Sequence, residues 1–312
     1  MKKKVSVIGA GNVGASLAQL LVHSGLADVV LFDIVEGVPQ GKALDLSEAC
    51  PLWGSSVKVT GTNDFKDTAD SDVIVITAGF PRKPGMSRDD LLSANAKVVA
   101  DVARNTCGIS KNAIYIVVTN PMDVMAQMTL KVTGFNPNRI IGMGGILDSA
   151  RFRTFVAWEL GIAPEDVEAL VMGGHGDQMV PMPRFTTAKG ISITHLIDED
   201  RINKLIERTK NGGAEIVGLL KTGSAFYAPA ASTFQMVKSV ILDEKRLLPC
   251  SAYLDGQYGL KGYYAGVPVI LGENGVEKIV EIPLNEKERQ DLERSFNSVK
   301  NLVQKLDSAE VK

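Results

Sequence analysis

Val5-Ser6-Val7-Ile8-Gly9-Ala10-Gly11-Asn12-Val13-Gly14 is the stretch that decides the fold of this chain. A short apolar run ends in G-x-G-x-x-G, and a helical pattern from Val13 to Ser24 follows. Among 30 glycines such a motif is weak by itself. Its setting between a buried strand and a helix makes it specific. The next apolar run, Val29-Val30-Leu31-Phe32, ends at Asp33, which stands 19 residues after Gly14. A dinucleotide-binding turn places an acidic residue about 20 residues on. Gly9 permits the tight turn, Gly11 lets the backbone approach a pyrophosphate, and Gly14 lets helix and strand pack closely. The helix start at Asn12 and Val13 presents N–H groups and a positive dipole end to phosphate oxygens. Gly9, Ala10, Gly11, Asn12, Val13 and Gly14 are therefore candidate cofactor-binding residues. Asp33 is expected to accept hydrogen bonds from ribose hydroxyls and to repel a 2′-phosphate, which favours NAD over NADP.

Working outward, further apolar runs lie at Val57–Thr60, Val73–Ile76, Ile114–Val118 and Arg139–Gly142. Most are rich in Val and Ile, as in strands buried on both faces of a parallel sheet. Helical patterns such as Leu91–Cys107 lie between them, which predicts right-handed crossovers and a doubly wound sheet. The pattern changes after Gly145. Helices are expected at Asp148–Leu160, Asp198–Leu220 and Ala228–Leu242, and strands at Val167–Met172, Tyr253–Leu254, Val267–Leu271 and Lys278–Ile282. A polar amphipathic helix from Asn285 to Leu306 closes the chain, with Asn285 and Glu288 at capping-box spacing. The fold class is α/β: an N-terminal doubly wound parallel (Rossmann) sheet over residues 1–145 and a C-terminal α+β substrate domain over residues 146–312.

Composition limits the function. The 312 residues carry 34 Lys+Arg against 36 Asp+Glu, a formal charge of −2, so no basic excess suits nucleic acid. No apolar run approaches the roughly 18 residues of a membrane span. Lys2-Lys3-Lys4 before Val5-Ser6-Val7-Ile8 resembles the start of a secretory signal, but Gly9, Gly11 and Gly14 interrupt the apolar stretch. Cys50, Cys107 and Cys250 form no CxxC pair and read as reduced thiols, so a cytoplasmic protein is expected.

There are three histidines. His23, near the end of the first helix, and His195 read as structural. His175 lies in Met172-Gly173-Gly174-His175-Gly176-Asp177, where glycines leave an imidazole accessible. With an ordinary pKa near 6.5, histidine suits acid–base work near neutral pH. Asp148 and Asp177 are both candidates for the carboxylate that would steady its charged form. Asp148 and Arg151 are three apart and share a helix face. No ligand spacing surrounds His175, so no metal is expected. The loop Ala78-Gly79-Phe80-Pro81-Arg82-Lys83-Pro84-Gly85-Met86-Ser87-Arg88 follows a buried strand. In open α/β sheets ligands bind beyond the carboxyl ends of strands. Three cations there predict an anionic substrate and closure of the loop over it.

Taken together, these segments, with Val118-Thr119-Asn120-Pro121 and Leu147–Arg153, resemble the lactate/malate dehydrogenase family over nearly the whole chain. Within it, the sequence is most like the lactate-dehydrogenase-like malate enzymes found in bacteria. The resemblance implies His175 as acid/base with Asp148 as its partner, Arg151 as a fork for the substrate C1 carboxylate, and Arg88 as the group that polarises the carbonyl. It implies that Asn120 holds substrate and cofactor, and that Asn95, Val118 and Thr119 lie at the cofactor. Lactate enzymes generally carry glutamine where this chain has Arg82, and malate enzymes carry arginine. Arg82 therefore implies malate and oxaloacetate as substrates, and Ala225, where lactate enzymes carry threonine, points the same way. The family also implies a dimer or tetramer, with the tetramer favoured, and a place in the tricarboxylic acid cycle. Two other readings stay open: a lactate or other 2-hydroxy-acid dehydrogenase, and a non-catalytic NAD-binding regulatory protein.

Overall fold

Six strands in the order β3-β2-β1-β4-β5-β6 form a parallel sheet in which every neighbour runs the same way. They are β1 (Lys4–Ile8), β2 (Asp28–Phe32), β3 (Val59–Thr62), β4 (Val73–Ile76), β5 (Ile114–Val117) and β6 (Ile140–Gly142). The helices among them are α1 (Asn12–Ser24), α2 (Val38–Trp53), α3 (Arg88–Cys107) and α4 (Met122–Thr133). This computed structural model describes residues 2–80 and 88–310. The strand order reverses beside β1, where β2 lies on one side and β4 on the other. That switch point puts the carboxyl ends of β1 and β4 beside each other. All four residues of β4 and of β5 are buried, which is why those segments read as unbroken apolar runs.

The chain divides into two compact units. The first contains Met1–Met143, Phe226–Arg246 and Ile270–Lys278; the second contains Gly144–Ala225, Leu247–Val269 and Ile279–Lys312. The chain thus returns to the first unit twice after residue 145. One return is α7 (Tyr227–Ile241), which follows α5 (Gly145–Leu160) and α6 (Glu199–Leu220) and packs on α1. In the second unit, α5 packs against α6 around Phe152, Val156, Val171, Met179, Ile193 and Ile202.

Several boundaries differ from expectation for identifiable reasons. The strand expected at Val167–Met172 is two: β7 (Val167–Glu168) and β8 (Val171–Met172). β8 pairs with β9 (Val180–Pro181), and β7 with β10 (Thr187–Ala188), which also pairs with β11 (Ile191–Ser192). The next strands, β12 (Arg246–Asp255), β13 (Lys261–Gly272) and β14 (Gly275–Ile279), are longer or earlier than their apolar cores. The segment expected as a strand at Lys278–Ile282 leaves strand geometry after Ile279. There, Val280 N–H donates to the Pro268 carbonyl and Ile282 N–H to the Tyr258 hydroxyl. β3 begins at Val59 rather than Val57, because Lys58 N–H donates to the Asp28 carboxylate. The closing helix α8 (Glu286–Glu310) has the expected capping box: Glu288 N–H donates to Asn285 Oδ1, and Asn285 N–H donates to Glu288 Oε2. Among the described residues, no helix is long and apolar enough to cross a membrane.

Candidate active site

The glycine turn is built from backbone. A Cβ on Gly14 would fall 1.9 Å from the Gly9 carbonyl oxygen, and one on Gly9 would fall 2.7 Å from Ala78 N. Helix α1 therefore packs on the turn at a distance only glycine allows. Gly11 differs: a Cβ there would meet nothing within 4 Å, so its backbone faces open space. Gly11 caps α1 without a side-chain hydrogen bond, leaving the first N–H groups of the helix for an acceptor from outside it. An open backbone beside a helix start with an acidic residue on the next strand fits a dinucleotide pyrophosphate and ribose.

Asp33 belongs to this turn directly. Ala10 N–H donates to its Oδ2 at 2.7 Å and Val35 N–H to its Oδ1 at 3.0 Å, while Asn63 donates to its carbonyl. The carboxylate thus ties the end of β2 to the glycine turn and keeps lone pairs for further donors. Lys42 was not foreseen. From α2 it donates to the Ala10 carbonyl, placing an ammonium at the phosphate turn. It was invisible in sequence because α2 carries Pro39 and Pro51 and shows no clear apolar face.

Past the ends of β4 and β5, Asn95 is the organising side chain. It is 1% exposed and its Oδ1 accepts from Phe80 N–H at 2.7 Å. Its Nδ2 donates to the Phe80 and Asn120 carbonyls, so both amide hydrogens are engaged with backbone. Asn95 braces two strand ends. Thr119 is buried and donates to the Ala78 and Ile76 carbonyls; Val118 is half-buried and the Asn120 side chain is exposed. Arg82 lies outside the described residues, and Arg88 is the first residue of α3.

In the second unit, α5 and the His175 loop meet. His175 Nδ1 lies 2.8 Å from Asp148 Oδ2, and Arg151 Nη1 donates to Asp148 Oδ1 at 3.2 Å. One carboxylate therefore faces an imidazole with one oxygen and a guanidinium with the other. Asp148 is 1% exposed, against 12% for the His175 and 13% for the Arg151 side chain. Burying a carboxylate this deep costs several kcal/mol unless it is paired, and the His175 and Arg151 contacts offset that cost. Of the two candidate carboxylates, Asp148 is buried against the imidazole, whereas Asp177 is exposed. Gly173 has φ +79°, in the left-handed region, and a Cβ there would fall 2.6 Å from Ser295 Oγ. His23 packs edge-on against Trp53, and His195 is exposed. Among the described residues, no group of three or more His, Cys, Asp or Glu could hold a metal ion.

This arrangement matches known proteins along the whole chain. The lactate/malate dehydrogenase NAD-binding domain matches residues 3–142, and the α/β C-terminal domain of the same family matches residues 146–310. The chain belongs to the lactate/malate dehydrogenase family. A family member named malate dehydrogenase from Rhodopirellula baltica is 54% identical over 308 residues, covering 98% of each chain. The crystal structure of Cryptosporidium parvum malate dehydrogenase superposes with a TM-score of 0.96 at 48% identity, covering 99% of this chain and 100% of that one. A Cryptosporidium parvum lactate dehydrogenase complexed with lactic acid and nicotinamide adenine dinucleotide superposes with a TM-score of 0.95 at 43% identity, covering 98% of both chains. The first unit therefore contains the family's NAD-binding domain, and NAD is its cofactor.

Proposed function

We propose that the protein is an NAD-dependent malate dehydrogenase that interconverts (S)-malate and oxaloacetate by reversible hydride transfer. The observation that carries this reading is the buried Asp148 carboxylate shared between His175 and Arg151. It supplies both parts that 2-oxo-acid reduction needs: a proton donor held in one orientation and a cation for the carboxylate. With Nδ1 directed at Asp148, Nε2 is the ring atom that exchanges a proton with the substrate oxygen. Asp148 stabilises the imidazolium before transfer, much as a buried carboxylate does in a hydrolase triad. Arg151 forks the C1 carboxylate, which a planar guanidinium fits and an ammonium does not. Arg88 polarises the carbonyl, and Asn120 orients substrate and cofactor. The glycine turn, Asp33, Val118, Thr119 and Asn120 hold the cofactor, with Asn95 positioning Asn120. When bound, NADH supplies the hydride that C2 accepts.

Arg82 selects the acid. Its guanidinium neutralises the second carboxylate of oxaloacetate, whereas pyruvate would leave that charge without a partner. The malate dehydrogenases among its relatives support this choice over lactate. The test is NADH oxidation by wild type and Arg82→Gln with oxaloacetate and with pyruvate. Breaking a buried pair costs about 3–5 kcal/mol, so kcat/KM for oxaloacetate falls by hundreds- to thousands-fold while that for pyruvate rises. Equal losses on both substrates would return the assignment to a general 2-hydroxy-acid dehydrogenase. A wild type without turnover would favour a regulatory NAD-binding protein.

A cytoplasmic homotetramer acting in the tricarboxylic acid cycle completes the proposal. The free thiols Cys50, Cys107 and Cys250 support a reducing compartment. Leu52, 86% exposed, and Leu44, 62% exposed, give α2 apolar surface that a second copy would cover. Light scattering on the purified protein reads the number of copies.

A further inference from the structure

The loop that carries His175 is held from behind by side chains outside the reaction. Gly174 N–H, one residue before the histidine, donates to Ser295 Oγ at 2.8 Å. Ser295 is 1% exposed and sits on α8, 121 positions along the chain from Gly174. Gly173 adds a two-way backbone bridge to Gly266, with N–H to carbonyl distances of 2.8 and 3.0 Å. At the other end of β8, Val171 N–H donates to Ser149 Oγ at 2.9 Å, and Ser149 follows Asp148 on α5. Two buried hydroxyls thus tie the segment between them to fixed helices, one beside the acid/base and one beside its partner.

The post on which Ser295 stands is itself secured. Arg184 donates to both carboxylate oxygens of Glu288 at 2.8 Å and to the Pro283 carbonyl. The Arg184 hydrogen bonds, aided by the Asn285 N–H, hold the Glu288 carboxyl below its ordinary range. Leu292, Phe296, Val299 and Val303 bury the same helix along its length. There is little slack at Gly173: the space a Cβ would need is filled by the Ser295 side chain. The register of α8 therefore fixes where Gly174 lies, and Gly174 fixes where the imidazole enters.

We propose that Ser295 is a positioning residue for proton transfer, its buried hydroxyl on the C-terminal helix setting the approach of His175 to Asp148 and to the substrate oxygen. The proposal rests on the malate dehydrogenase reading above, because it assigns a consequence to His175 chemistry. Ser295→Ala removes the acceptor and leaves Gly174 N–H buried without one. A backbone group in that state relaxes by moving, and here movement displaces the histidine. Small displacements of a reacting group cost rate steeply.

The deciding measurement is the chemical step alone. Enzyme–NADH complex is mixed rapidly with saturating oxaloacetate, and the loss of nicotinamide absorbance is followed in a single turnover. The Ser295→Ala step is expected to slow about 10-fold, while the NADH dissociation constant from fluorescence titration stays within about 2-fold. Ser308→Ala, on an exposed face of the same helix, is the control and keeps the wild-type rate. Ser295→Cys keeps the volume with a weaker acceptor and should fall between, and it carries the test if the alanine variant does not fold. A wild-type rate in either Ser295 variant overturns the proposal. So does a loss of NADH affinity parallel to the loss of rate, which would mark a general loosening. A wild type that fails to reduce oxaloacetate sinks the parent reading as well; an active wild type with unchanged variants sinks this one alone.

Discussion

Two aspartates show how differently the two units make a site. Asp33 accepts from backbone N–H groups, those of Ala10 and Val35. Asp148 accepts from side chains, the imidazole of His175 and the guanidinium of Arg151. The glycines follow the same division. Gly14 makes room for another segment's backbone, whereas Gly212 makes room for a side chain, since a Cβ there would fall 3.2 Å from Arg151 Cδ. A site made of backbone is shared among many groups, so one substitution weakens it by degrees. A site made of side chains depends on each of them, and one truncation can remove its chemistry.

The largest effect should therefore fall on the second unit. His175→Asn keeps a planar polar side chain but cannot hold and release a proton near neutral pH. General acid–base catalysis contributes typically about 10²–10⁴-fold, and kcat for oxaloacetate reduction should drop within that range. NADH binding, which depends on the first unit, should stay close to wild type in fluorescence titration. If most activity survives in the purified variant, His175 is not the acid and the contrast between the units loses its main support.

Asp33→Ser should do less. Its carboxylate is one contributor among several N–H groups and glycines, and hydrogen bonds to a charged group are worth about 1.5–3 kcal/mol. The KM for NADH should rise by about one to two powers of ten, and NADPH, no longer repelled, should become a usable substrate. The saturated rate should change little, because Asp148, Arg151 and His175 are untouched. Steady-state kinetics with both cofactors reads each of these, and an unchanged preference for NADH would remove Asp33 from cofactor selection.

What was legible in the sequence follows the same divide. The parallel sheet could be read because β1, β2, β4 and β5 are buried on both faces and announce themselves locally. The glycine turn could be read because its parts lie within one strand–helix unit and at a fixed distance from Asp33. Helix α2 escaped notice, with prolines at 39 and 51 and buried residues only at Pro39, Ala43 and Cys50. In the second unit, glycines marked His175, yet the choice between Asp148 and Asp177 needed packing. Asp148, the carboxylate that meets the ring, lies 27 residues away on α5, whereas Asp177 is nearer in the chain and exposed. Ser295, 121 residues from the loop it holds, left no local trace.

The smallest effect probes the glycines of α6. A glycine inside a helix costs roughly 0.5–1 kcal/mol relative to alanine, so Gly212, Gly213 and Gly218 all weaken this helix. Gly218 is exposed and a Cβ there meets nothing within 4 Å, so Gly218→Ala should raise stability by about that amount and leave kinetics alone. Gly212 is buried against Arg151, and Gly213 lies where a Cβ would sit 3.7 Å from Arg151 Nη2. Gly212→Ala gains the same helix preference but pushes Arg151 by a few tenths of an ångström, and the two effects on stability should nearly cancel. The shift should appear in substrate binding instead: a rise of about 3- to 10-fold in the KM for oxaloacetate, with the KM for NADH unchanged. Thermal melts and steady-state kinetics on the two variants side by side separate helix propensity from the seat of the guanidinium. If Gly212→Ala behaves like Gly218→Ala in both measurements, α6 does not set the position of Arg151, and the second unit relies on Asp148 alone to hold it.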